Sequence, residues 1–228
     1  MRNNVFFICV IFCLFYCKTR SQNNHKNDQE YIFTFDLFSP FSPPEFLPDH
    51  PLNTPRYKIG AITNIGKYLK LGIDIGYGNH TISTLNTKEG YELFEVRPEF
   101  YYILNPFEDV EKYFSIELFY IDHFERLKNE TFLSLNENFI EYDTADYMRR
   151  KYGAFAKFGV FINFSEKFGA NIYTGAGIRY KINNYNNVIK PVVIESFEED
   201  YPPFYRNEGN HFSVDFTFGL KFYYRLIK

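Results

Sequence analysis

From residue 31 onward, apolar and polar positions alternate with a period of two over most of the chain. YIFTFDLF (31–38) sets Tyr31, Phe33, Phe35 and Leu37 on one face, against Ile32, Thr34, Asp36 and Phe38 on the other. That period marks β-strands with unlike faces. RYKIGAIT (56–63), YLKLGIDIGYG (68–78) and YELFEVRPEFYYIL (91–104) repeat it. KYFSIELFYIDHFE (112–125) follows it until Asp122, where the pattern is lost. A sixth run covers 148–164 and a seventh 168–181. The last, HFSVDFTFGLKFYYRLIK, places an apolar residue at every second position from Phe212 to Leu226. The pattern predicts eight strands.

The connections differ in length, and in a regular order. NIGK, NPFEDVEK and SEK are short. SPFSPPEFLPDHPLNT, NHTISTLNTKEG and the stretches 128–147 and 183–209 are long. Short and long alternate strictly, so an up-and-down antiparallel sheet collects the short turns at one end and the long loops at the other. GKYLKLGI, EKYFSIEL and EKFGANIY each carry Lys and an aromatic beside a short turn, as in an interfacial girdle with snorkelling lysines. Tyr68 and Tyr113 have the polar parity, whereas Phe168 has the apolar one.

The polar face settles which side is outside. It carries Lys70, Asp74, Glu95, Arg97, Glu99, Glu117, Lys157, Arg179, Lys181, Asp215, Lys221 and Arg225, interleaved with glycines. The interior of an eight-stranded barrel is only wide enough for side chains to fill it. Small residues beside paired long charges fit such a lumen, whereas the Phe, Tyr, Leu and Ile of the other face would overfill it. The expectation is an all-β, eight-stranded antiparallel up-and-down transmembrane barrel with a structural charge network inside. A soluble barrel with its apolar face inward, built for an apolar ligand, is the alternative. The absence of Trp departs from the G-x-W signature of lipocalins.

Composition and the N-terminus add a compartment. Residues 1–21 hold an apolar run from Val5 to Cys17, too short to span a bilayer as a helix and suited to a signal peptide cut after Ser21. Lipid modification at Cys17 would place Tyr16 where a small residue is wanted. Residues 22–30 form a polar spacer, and 31–228 the barrel. All three cysteines, Cys9, Cys13 and Cys17, fall in the leader, which leaves neither disulfide nor thiolate chemistry after cleavage. Losing Arg2, Lys18 and Arg20 takes 25 basic residues to 22 against 28 acidic ones, a formal charge of −6. That balance speaks against a nucleic-acid partner.

In the last strand, Thr217, Phe218, Gly219, Leu220, Lys221, Phe222, Tyr223 and Tyr224 follow the order polar, any, glycine, two of any, hydrophobic, any, hydrophobic. This resembles the C-terminal signal of bacterial outer-membrane barrels, although the chain continues through Arg225 to Lys228. The chain is similar over 31–228 to small outer-membrane β-barrel proteins of the OmpA-barrel or OmpX kind. The resemblance implies an outer-membrane location, lipid around the barrel, and both termini and the short turns facing the periplasm. It also implies that the barrel-assembly machinery reads Thr217, Gly219, Phe222 and Tyr224. It implies no particular function.

Candidate chemistry is sparse. His211 and Ser213 share a strand face, like the H-x-S pair of outer-membrane lipid A deacylases, but only Asp215 follows as an acid to orient the imidazole. Glu95, Arg97 and Glu99 form the densest same-face charge run, read as a filled lumen rather than a conduction path. HExxH, CxxC, P-loop and GxGxxG motifs are missing, and His25, His50, His80, His123 and His211 lack ligand spacing. Glu195, Glu198, Glu199 and Asp200 form an acidic loop, read as solvated. No cofactor or enzymatic role is expected. The expected role is surface adhesion, envelope integrity or docking of a surface or periplasmic partner through the external loops; the alternative is a lipid-modifying barrel enzyme.

Overall fold

The computed structural model describes residues 30–41, 54–83, 85–106, 108–194 and 207–227. The leader at 1–21, its three cysteines, the spacer up to residue 29 and the acidic residues 195–200 lie outside them. The strands are β1 (Glu30–Asp36), β2 (Tyr57–Asn64), β3 (Leu69–Asn79), β4 (Glu89–Ile103), β5 (Val110–Leu133), β6 (Phe139–Asn163), β7 (Phe168–Ile189), β8 (Val192–Ile194) and β9 (Gly209–Ile227). All pairs are antiparallel. β1 to β7 pair in sequence order, β7 pairs with β9, and β9 returns to β1 with register Glu30↔Ile227 to Asp36↔Lys221. The sheet is thereby a closed eight-stranded barrel, with β8 added only against Phe139–Glu141 of β6.

Alternation decides what faces in. Ile32, Thr34 and Asp36 on β1 are buried, while Tyr31, Phe33 and Phe35 between them are exposed, and the same division runs around the barrel. β9 exposes Phe212, Val214, Phe216 and Phe218 but buries Lys221 and Tyr223. Glycines on the inward face make room for long side chains. A Cβ on Gly60 would run into Asp74 Oδ1, and one on Gly219 into Tyr173 Oη.

Aromatic rows bound the apolar outer belt. At the long-loop end, Tyr120, Tyr152, Tyr180 and Phe212 stand in one cross-strand register, and Tyr57, Tyr77 and Phe94 form a second one across β2, β3 and β4, offset by two residues where Phe94 meets Asp122 and Tyr120 meets Val96. At the short-turn end, Tyr68 stacks on Tyr102, and Phe168 packs on Tyr224. Of the Lys-aromatic repeat, Tyr68 and Phe168 are exposed on the outside, but Tyr113 is fully buried in the lumen. The repeat therefore supplies two members of the lower row and one of the core. From Tyr152 to Ile162 the strand advances ~33 Å, which a tilt of ~40° reduces to ~25 Å along the barrel axis.

The strands run farther out than the alternation marks. β5 continues to Leu133 and β6 begins at Phe139, so the connection expected over 128–147 narrows to a turn closed by the Ser134 N–H donating to Asn138 O (2.9 Å). β7 likewise continues to Ile189, inside the connection expected over 183–209. Above the belt the period-two contrast disappears for a physical reason. The inward face becomes apolar, with Leu127, Phe132, Tyr142, Tyr147 and Tyr185 packed together, while the outward face carries charge pairs such as Arg126–Asp146 (2.9 Å) and Arg150–Asp122 (3.5 Å). A bulge between Thr144 and Asp146 shifts the parity as well.

Candidate functional site

The lumen is filled in three tiers. At the short-turn end, an aromatic plug joins Tyr101, Tyr113, Phe161 and Tyr223, with ring centroids 5.1 Å apart for Tyr101–Tyr113 and 4.9 Å for Tyr113–Phe161. Tyr113 Oη donates to Asn171 Oδ1 (2.7 Å), which satisfies a buried hydroxyl. At the mouth below the plug, Lys70 Nζ reaches Glu111 (2.9 Å) and Glu30 (3.3 Å), and Arg225 pairs with Glu30.

The middle tier is an ion-pair belt. Lys157 Nζ donates to Glu99 Oε2 (3.1 Å) and to Glu117, and Arg97 donates to Glu117 (2.8 Å) and Glu95 (3.0 Å). Arg56 also reaches Glu95 (2.8 Å), Lys58 reaches Asp36 (2.9 Å), and Lys221 pairs with Asp74. Five cations, Arg56, Lys58, Arg97, Lys157 and Lys221, thus meet five carboxylates, Asp36, Asp74, Glu95, Glu99 and Glu117. Hydroxyls take up remaining acceptor capacity. Ser115 donates to Glu99 Oε1 (2.6 Å), Tyr101 to Glu99 Oε2 (2.9 Å), and Thr34 to Asp74 (3.2 Å). Asp74, Glu99 and Glu117 bring carboxylate oxygens within 4.8 Å of one another, as a metal site would. Their charge is met instead by Lys157, Lys221 and Arg97.

The outer tier is different in composition. Arg149 and Lys151 on β6 face inward beside Arg179 and Lys181 on β7, and Lys151 and Lys181 are direct cross-strand partners. Arg179 donates to Asp215 Oδ2 (2.8 Å) and to Ser213 Oγ (3.3 Å). His211 Nε2 lies 2.9 Å from the carbonyl oxygen of Asn207. His211, Ser213 and Asp215 share the inward face but do not assemble a triad, because Arg179 engages the acid and the hydroxyl and the imidazole turns to the backbone.

The twelve lumen residues read from the sequence all lie on the inward face. Lys70 and Arg225 stand at the short-turn mouth, and Asp74, Glu95, Arg97, Glu99, Glu117, Lys157 and Lys221 in the belt. Arg179, Lys181 and Asp215 belong to the outer tier. Missing from that set are Asp36, Arg56, Lys58, Arg149 and Lys151, which share the inward parity of their alternating runs, and Glu30 and Glu111, which lie just before theirs. Of the four residues that resemble a C-terminal signal, Thr217 and Gly219 point inward, while Phe222 and Tyr224 point outward, opposite Phe35 and Phe33 across the β1–β9 seam.

Beyond the belt, solvent-facing pairs perturb two ionisable groups. A hydrogen bond from Lys128 holds the Glu89 carboxyl below its usual range, and one to Asp143 (2.6 Å) holds the Lys190 ammonium above its usual value. Comparison with protein-family models, curated proteins and solved structures finds no match to this chain.

Proposed function

We propose that this chain is an outer-membrane β-barrel protein with a non-enzymatic role. It holds a closed, ion-paired barrel in the bilayer and offers its outer extension to a partner at the cell surface. The observation that carries the reading is the apolar belt. Phe33, Phe35, Phe94, Phe100, Phe114, Phe158, Phe168, Phe212, Phe216, Phe218 and Phe222 are each between 39% and 79% exposed. At ~200 Å² per side chain they present on the order of 1,000 Å², beyond the ~300–600 Å² of the largest patch on a typical soluble monomer. Keeping that area in water forgoes about 25 kcal/mol of transfer free energy, more than the ~5–15 kcal/mol by which a domain is stable. Lipid accepts the belt, and its ~25 Å height matches the apolar band of outer-membrane barrels.

A charged lumen is poorly suited to an apolar ligand, and a plugged one to conduction. The outer extension suits docking, because β8 leaves Val192 and Val193 exposed at a strand edge above the belt. In this reading residues 1–21 direct export and the Thr217–Tyr224 strand addresses the chain to the assembly machinery.

Cell fractionation with heat-modifiable gel mobility tests the location: the protein is expected in the outer-membrane fraction, with a mobility shift on boiling. Recovery in the soluble fraction without a shift would end the membrane reading. Single-cysteine variants test the orientation. Asn136→Cys at the β5–β6 turn is expected to react with an impermeant maleimide on intact cells, and Glu166→Cys at the β6–β7 turn only after lysis. The reverse pattern would invert the topology.

A further inference from the structure

The outer tier of the lumen gathers positive charge on neighbouring strands. Arg149, Lys151, Arg179 and Lys181 occupy two neighbouring strands, with Lys151 directly opposite Lys181. Directly opposed side chains have Cβ atoms only ~5 Å apart, and like charges there repel. Among the described residues, Asp215 is engaged by Arg179, and Glu125, a further inward acid, lies 3.9 Å from His123 on its own strand. Two groups keep open capacity. Among the described residues Lys151 forms no ion pair or hydrogen bond, and Arg149, only 5% exposed, has an Nε without a hydrogen-bond partner. Burying a guanidinium N–H without an acceptor costs more than leaving it in water.

The tier is also accessible. On β9 the inward residues Gly209, His211, Ser213, Asp215 and Thr217 are all half-buried, and complete burial begins only at Gly219. Solvent therefore enters from the long-loop end down to the level of Arg179 and Asp215, whose side chains are 21% and 30% exposed. Beneath, the stacked rings of Phe119 and Phe155 (5.1 Å) and Arg97 against Phe119 (5.3 Å) separate the tier from the ion-pair belt.

We propose that this tier is an anion site: Lys151 and Lys181, flanked by Arg149 and Arg179, bind a phosphate-class oxyanion, either free or carried on a lipid head group. Guanidinium forks match the geometry of such an anion, and two ammonium groups supply charge without geometric demand. The anion completes what the chain leaves open, an acceptor for Arg149 and a counter-charge for Lys151. The inference rests on the barrel's interior and not on where the barrel resides.

The test uses the full chain refolded in zwitterionic detergent, with thermal unfolding followed by gel mobility. Inorganic phosphate, at ionic strength held constant with chloride, is expected to raise the melting temperature saturably. Lys151→Met and Lys181→Met are each expected to weaken the apparent affinity by about tenfold or more, and Lys190→Gln, on the exposed turn after β7, to leave it unchanged. A parallel arm compares phosphatidylcholine vesicles with and without phosphatidic acid. A response confined to phosphatidic acid and lost in the same two variants assigns the head-group source. Should the variants fail to fold, amine acylation read by mass spectrometry on the wild-type chain replaces them, with phosphate or phosphatidic acid expected to protect Lys151 and not Lys190. No response to either probe that depends on Lys151 or Lys181, or no protection of Lys151, overturns the site.

Discussion

The belt around Glu99 and the tier around Lys151 are cut from the inward faces of the same strands, with the same alternation. In the belt, Lys157 bridges Glu99 and Glu117, and every cation finds a carboxylate. In the outer tier, Lys151 faces Lys181 and the nearest acid is already engaged by Arg179. Both hold charges out of bulk water, but only the first pairs them internally. A charge in a narrow lumen without its partner is strongly destabilising, so the belt can persist wherever water is excluded. The tier persists because the open end admits solvent and, on the proposal above, an anion.

Mutations should separate the two regions by sign as well as size. Lys157→Met leaves two buried carboxylates without their shared cation and is expected to cost ~3–5 kcal/mol. Adding Glu117→Gln to it should restore about half of that, measured by urea unfolding followed by circular dichroism or gel mobility, since the chain has no Trp to report. A result in which Lys157→Met alone is neutral would mean the belt is hydrated.

Next in size is Phe216→Arg on the outside, at the height of Ala176 and Ala156 and so between the aromatic rows. In a bilayer it is expected to cost ~2–4 kcal/mol. In a barrel surrounded by water the same change would be neutral or favourable, so its sign reports on the surroundings. Gly219→Ala pushes a methyl toward the Tyr173 ring, over which Lys157 Nζ sits at 4.3 Å. Its expected cost is ~1–3 kcal/mol, from overpacking against the belt. The smallest effect has the opposite sign. Without phosphate, Lys151→Met should stabilise the barrel by ~0.2–1 kcal/mol by relieving the like-charge pair; a loss of stability would mean that Lys151 is already compensated.

Much of this was legible in the chain. Alternation separated Phe212, Val214, Phe216 and Phe218 from Ser213, Asp215, Thr217 and Gly219, because a pleated strand turns successive side chains to opposite faces whatever surrounds it. It placed all twelve named charges inside. It failed above the belt, at 123–147 and 182–189, where charge pairs line the outer face and an apolar cluster fills the inner one, so the contrast on which the period depends is absent. There the tip turn at Ser134–Asn138 and the β6 bulge were invisible.

Strand number, antiparallel order and facing follow from local stereochemistry repeated along the chain, and so the amino-acid pattern carries them. Which charge meets which partner does not follow. Lys221 and Asp74 are 147 positions apart, and Lys157 and Glu99 are 58 apart. Their meeting depends on barrel closure through the β1–β9 seam, on stagger between strands, and on glycines such as Gly60 and Gly219 that leave room across the lumen. The pairing within the belt and the crowding of Arg149, Lys151, Arg179 and Lys181 in the outer tier draw on residues of several walls, and only the closed barrel brings them together.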